Sequence, residues 1–162
     1  MVAKIEANIA EVQARLNAIK ASGGDTSPAL RAFGNVVLNR IRMGFRLGRS
    51  PWGQSWRQLV LRDGQPLRNT GQLQRSITMQ QVKDGVEIGT NLIQARVQHF
   101  GATIRPKNVK FLRFPGPNGF IFAKEVTIPA RPFMPIDRGG GMAMPPQWAA
   151  SGLEAMKKAL QL

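Results

Sequence analysis

The stretch from Arg62 to Gly101 constrains the fold more than any other, because it alternates residues that start, turn and stop secondary structure. In Leu67-Arg68-Asn69-Thr70-Gly71-Gln72-Leu73-Gln74-Arg75-Ser76-Ile77, the Thr70 hydroxyl is placed to cap a short helical turn. Ile77 to Val82 and Val86-Glu87-Ile88 read as two strands joined through Asp84-Gly85, a dipeptide favoured in tight hairpins. Gly89-Thr90-Asn91 then leads into a helix capped by Asn91 and stopped by Gly101, with Ile93, Val97 and Phe100 on one face. Further on, the prolines of Pro129-Ala130-Arg131-Pro132-Phe133 hold that run extended, since each also restricts the residue before it.

The flanking segments are mostly helical. Ile5, Ile9, Val12, Leu16 and Ile19 are spaced four, three, four and three, a narrow apolar seam that suits packing on one neighbour, and Gly23-Gly24 ends it. Ser27-Pro28 opens a second helix whose buried face is Leu30, Phe33, Val37, Ile41 and Phe45, with Arg31, Asn35, Arg42 and Arg46 off that face and Gly48 as its stop. Residues 49–70 read as a loop that Trp52 and Trp56 pin to the core, with an interface anchor as the alternative role for these two rings. Val109–Phe114 is a candidate strand, Pro115–Gly119 a turn, and Phe120–Ile128 one or two further strands. Gly139 to Pro146 reads as a mobile loop, and Trp148, Leu153, Met156 and Leu160 mark a closing amphipathic helix.

The element order predicts an α+β fold, a mostly antiparallel β-sheet flanked by N-terminal, central and C-terminal helices. A chain of 162 residues fits a single domain, 1–162, with a helical part at 1–48, an α+β core at 49–138, and a loop and helix at 139–162.

Composition narrows the function. With no cysteine, disulfides, thiolate metal sites and cysteine nucleophiles are excluded. His99 is the sole histidine and the nine carboxylates are scattered, so neither a catalytic triad nor a metal-ligand cluster is in view. Gly139-Gly140-Gly141 lacks the Lys-Ser/Thr ending of a phosphate loop. His99 reads as structural, placed next to a helix end. We therefore expect no enzyme, no catalytic residue, no metal and no cofactor. No apolar run approaches the roughly 18 residues of a membrane helix, and the N-terminus, with Lys4, Glu6 and Glu11 among apolar residues, is not a signal-peptide pattern.

The net charge is +14, and +8 of it falls in residues 31–75, where nine arginines face Asp63 alone. Such a patch attracts polyanions or an acidic protein surface. Arg31, Arg42, Arg46 and Arg49 are the candidate contacts. On charge alone, a stand-alone nucleic-acid-binding protein is the alternative to an assembly protein.

From Phe45 to Met134 the chain resembles the phage virion morphogenesis family, the tail-completion proteins of P2-like and Mu-like phages. The resemblance rests on Trp56 and Leu59 in the loop; on Leu67, Thr70, Gly71, Leu73, Ser76 and Ile77; on Val86, Ile88, Gly89, Thr90 and Asn91; on Phe100 and Gly101; and on Pro129 to Phe133. The sequence departs from the family pattern at Gln98-His99, where His-Gln is usual, at Leu92 and Ile93, where an aromatic is usual, and at Met134, where Leu is common. The resemblance implies a non-enzymatic virion protein at the head–tail junction, a ring of six around the DNA channel. Its neighbours would be the adaptor, stopper or tail-tube end, and no membrane is involved. In such a ring the arginines would line the lumen and touch packaged DNA through its phosphates. Ile5, Ile9, Val12, Leu16, Ile19, Arg131, Pro132 and Phe133 would be the subunit interface.

Overall fold

The computed structural model describes residues 2–60, 63–83, 85–139 and 141–161, the side chains of residues 2–11 excepted. The described elements are α1 (Val2–Ala21), α2 (Ser27–Leu47), α3 (Gln72–Ser76), β1 (Thr78–Val82), β2 (Gly85–Gly89), α4 (Ile93–Phe100), β3 (Ala102–Ile104), β4 (Leu112–Gly116), β5 (Gly119–Ala123), β6 (Val126–Ile128) and α5 (Pro146–Leu160). The fold is α+β and every strand pair is antiparallel, divided among three two-stranded ribbons, β1–β2, β3–β6 and β4–β5.

Local chemistry sets the boundaries. At the end of α1, the Gly24 amide reaches back to the Ile19 carbonyl and that of Gly23 to Lys20, a paired closure that needs the positive φ of Gly23. α2 starts one residue before Pro28, with the Ser27 amide donating to the Asp25 carboxylate at 2.8 Å and the Leu30 amide to the Thr26 carbonyl. Hydrogen bonds from the Ser27 side chain and from its backbone amide favour the charged carboxylate and hold the Asp25 pKa below its ordinary value. In the first ribbon Val82 pairs with Gly85, so Gly85 belongs to β2 and not to the turn that the Asp-Gly signal indicates. Asp84 itself lies outside the described residues.

The described residues gather into two compact units. The first comprises Met1–Arg42, Ile77–Gly89 and Met144–Leu162. Its core is Val12 and Leu16 of α1, Ala29 of α2, and Leu153 and Met156 of α5, with Leu30, Phe33 and Leu160 around them. Val12 and Leu16 of the α1 seam thus close on helices of their own chain. The β1–β2 ribbon lies on α2 at Gly34, where a Cβ would run into the Met79 sulfur and come within 2.9 Å of Val86.

The second unit comprises Met43–Ser76 and Thr90–Ala143. Here β3 and β6 form the base of a nested hairpin that encloses β4 and β5 in sequence. The Asp137 amide donates to the Gly141 carbonyl and the Gly141 amide to the Asp137 carboxylate, each at 2.9 Å, and Ile136 pairs with Met142.

Candidate functional site

The second unit is organised around four rings and one buried cation. Phe45, at the end of α2, is fully buried and meets Trp56 edge-on and Phe133 at a tilt, each with ring centroids 5.4 Å apart. His99 of α4 lies edge-on to Phe133 at 5.0 Å and to Phe100 at 4.4 Å. The Trp56 indole N–H donates to the Pro132 carbonyl at 2.7 Å. Arg131 is buried and donates to the Arg57 carbonyl at 2.9 Å and the Gln58 carbonyl at 3.4 Å. The Pro129–Phe133 run is therefore fastened to the 49–58 loop at two adjacent points, the Pro132 carbonyl and the Arg131 side chain. Trp52, read with Trp56 as a core anchor, is instead exposed.

His99 sits at the centre of this arrangement with only 3% of its surface exposed. The Phe133 amide donates to its Nδ1 at 3.2 Å, so the ring proton is on Nε2, where a backbone hydrogen bond at Ile136 engages it. Burial lowers the imidazole pKa, and the Ile136 bond opposes this in part. His99 is thus a neutral cross-link, with both nitrogens occupied. The helix-dipole role expected of it requires a cation and does not apply. The buried pair on α4 is Ala95 and His99, while Ile93, read as part of the buried face, is 92% exposed. The sequence signal for this was available: Ala95 and His99 are four apart and so share a face.

The hydroxyls of the central motif have similar work. Thr70 accepts the Gln72 amide at 3.3 Å and so caps α3. The Ser76 hydroxyl donates to the Leu73 carbonyl at 2.8 Å, so in its 2.7 Å contact with Thr90 the proton comes from Thr90. Thr90 in turn accepts the Leu92 amide at 3.2 Å, a local turn just ahead of α4, whose N-cap is Leu92 rather than Asn91 and has no side-chain cap. The nearby cleft of about 270 Å³, lined by Leu67, Asn69, Thr70, Leu73, Gln94 and Gln98 among others, holds no ionisable side chain. Among the described residues no group of three or more His, Cys, Asp or Glu could hold a metal ion, and no helix is long and apolar enough to cross a membrane.

The sequence-derived contact residues divide sharply by exposure. Arg31, Arg42, Arg46 and Arg49 are all exposed. On α2 the first three recur at intervals of eleven and four, which places them on one helix face. Val12 and Leu16 are buried in the core of the first unit and Ile19 is half-buried against Gly24. Arg131 and Phe133 are buried in the hub, with Pro132 half-buried between them. The side chains of Ile5 and Ile9 lie outside the described residues. Among the described residues the exposed large apolar ones all belong to the second unit: Met43, Leu47, Trp52, Val60, Ile93 and Met142, and five more on the nested hairpin.

Comparison with known proteins agrees with this inventory of structural roles. Residues 7–144 match the phage virion morphogenesis family. The chain is also 28% identical, over 127 residues covering 78% of each sequence, to Mu-like prophage FluMu G protein 2 of Haemophilus influenzae. No solved structure matches it. The family match spans most of the chain and includes the cap, hairpin, helix stop and Pro-Ala-Arg-Pro-Phe run whose geometry is described above: this chain belongs to the phage virion morphogenesis family.

Proposed function

We propose that this chain is a structural assembly protein of the virion neck and tail end, forming a ring of six that completes the tail and joins it to the head, and that it performs no chemistry. The observation that carries the reading is membership of a virion morphogenesis family across residues 7–144. The geometry supports it. The single histidine and the Ser76 hydroxyl are engaged in holding backbone together, and the accessible features are surfaces. A ring needs head-to-tail contacts between unlike faces of neighbouring subunits. Val12 and Leu16 of the α1 seam and Phe133 are engaged inside the chain, so exposed apolar residues of the second unit outside the nested hairpin, such as Met43, Leu47 and Val60, would make those contacts. Adaptor, stopper or tail-tube end are the neighbours such a ring would meet. Arg31, Arg42, Arg46 and Arg49 would face packaged DNA, gripping phosphates without reading bases.

Quantitative mass spectrometry of purified virions tests this. A fixed, low number of copies per particle, about six for one hexameric ring, supports the reading, and absence from the particle contradicts it.

The exposed arginine stripe also favours a second reading, a stand-alone nucleic-acid-binding protein. Tight, strongly salt-dependent binding of duplex DNA by an isolated monomer at physiological salt would favour it. An oligomer with weak DNA affinity favours the ring.

A further inference from the structure

The nested hairpin of the second unit presents a surface that the hub does not use. In β4–β5, Arg113 pairs with Phe122 and Pro115 with Phe120, which puts these four side chains on one face of the ribbon. All four are exposed, and the two phenylalanines retain 57% (Phe120) and 63% (Phe122) of their surface. The Arg113 guanidinium lies 3.7 Å above the Phe120 ring. Phe111 and Val109, just before β4, are also exposed, with the Lys110 ammonium 5.8 Å from the Phe111 ring. Rings left this open lose about 1.5–3 kcal/mol each relative to burial, which marks a surface that is covered by something else.

The charges around it say what kind of surface. Between 104 and 124 the chain carries Arg105, Lys107, Lys110, Arg113 and Lys124 and no acidic residue. Arg105 is paired at the base of the hairpin with Glu125, at 3.0 Å. A second copy is a poor receptor for this particular face, because its nine acids are spread along the chain and form no acidic rim. Lysines flanking an exposed strand also oppose edge-to-edge pairing with a like strand. Duplex DNA would satisfy the cations but offers the rings no apolar surface without unstacking a base step. A single strand would have to stack on a ring whose one face Arg113 already covers. Aromatic rings joined to an arginine are the residue types that anchor protein–protein interfaces.

We propose that the Arg113–Phe120–Phe122 face of the β4–β5 hairpin is the docking surface for a different virion protein, on which it takes an acidic surface that rims an apolar pocket. The inference rests on the chain being a virion component. The rings fill the pocket, and Lys107, Lys110, Arg113 and Lys124 meet the acidic rim.

The test is photo-cross-linking in cells assembling the virion, with p-benzoylphenylalanine replacing Phe122 or, separately, Phe120 in the full chain. The same substitution at Ile93, more exposed still but off the hairpin, serves as control. The expected result is one dominant adduct from the hairpin positions, to a different virion protein at a peptide of net negative charge. That adduct should fall at least tenfold when Arg113→Glu is added, and Ile93 should not yield it. An adduct to another copy of this chain, a nuclease-sensitive adduct to DNA, the same adduct from Ile93, or no adduct from either hairpin position would overturn the proposal. Any of these would leave the assembly role standing. That role falls only if the protein is missing from the particle.

Discussion

Gly101 shows how much one residue decides here. Its backbone lies at φ 73° and ψ 163°, a region open essentially to glycine alone. A Cβ there would come within 2.8 Å of the Ala130 amide nitrogen and the Ile128 carbonyl oxygen, both backbone atoms that cannot swing aside. Gly101→Ala is therefore expected to destabilise the fold by roughly 2–4 kcal/mol in denaturant unfolding; an effect below about 0.5 kcal/mol would contradict the geometry. The sequence reading recognised Gly101 as a stop from its place after Phe100, but the close approach of residues 128–130 is a long-range contact that no local pattern encodes. His99 carries the second expectation at this scale. Burial lowers its pKa in the folded chain, so between the folded and unfolded values the unfolded state binds more protons. Its contribution is full above about pH 6.5, the ordinary histidine value, and is lost as pH falls below it. Unfolding free energy measured from pH 8 to pH 5 should decline below pH 6.5 with a slope of at most about 1.4 kcal/mol per unit. His99→Gln should flatten that decline, and an unchanged slope would show that the imidazole does not titrate this way. Asp25, whose pKa is lowered, acts only below about pH 4 and stays outside this window.

At the scale of elements, the helices were the most legible. Their apolar spacing and the Gly23 and Gly48 stops are local signals, and α1 and α2 end within a residue or two of those stops, whereas α5 starts at Pro146, which the sequence places in a loop. What the seam of α1 touches was not legible, because a four-three spacing reads alike whether the partner is another chain or a helix far along the same one. The structure supplies α5 of its own chain. Leu16→Ala should then lower the stability of the isolated chain by about 2–4 kcal/mol through the cavity it leaves. A neutral effect on the isolated chain would mean that the seam faces elsewhere. The Pro129–Phe133 run was read correctly as extended, but its buried fastening to the 49–58 loop depends on the Trp56 N–H and the Arg131 guanidinium. Trp56→Phe keeps the ring stack and leaves the Pro132 carbonyl without its donor, at an expected cost of about 1–2 kcal/mol by thermal or denaturant unfolding. The β3–β6 pairing was missed, because strands of three residues separated by a whole hairpin carry almost no periodic signal.

For the whole molecule, the division between buried motif and open surface governs function. The residues that made the family resemblance visible, Thr70, Ser76, Thr90, Arg131 and Phe133, are engaged in caps and cross-links. The exposed arginines and rings are where other components would meet the chain. Replacing Arg42 and Arg46 together by Glu should leave thermal stability within about 0.5 kcal/mol, since both are surface residues, while joining of heads to tails fails. Normal joining would remove the stripe from the functional surface. The central claim is that the protein acts by bridging parts of the particle, and imaging particles assembled without it tests this most directly. Intact heads and intact tails lying apart, rejoined when the wild-type chain is supplied, is the predicted result; joined, infectious particles in its absence would contradict it.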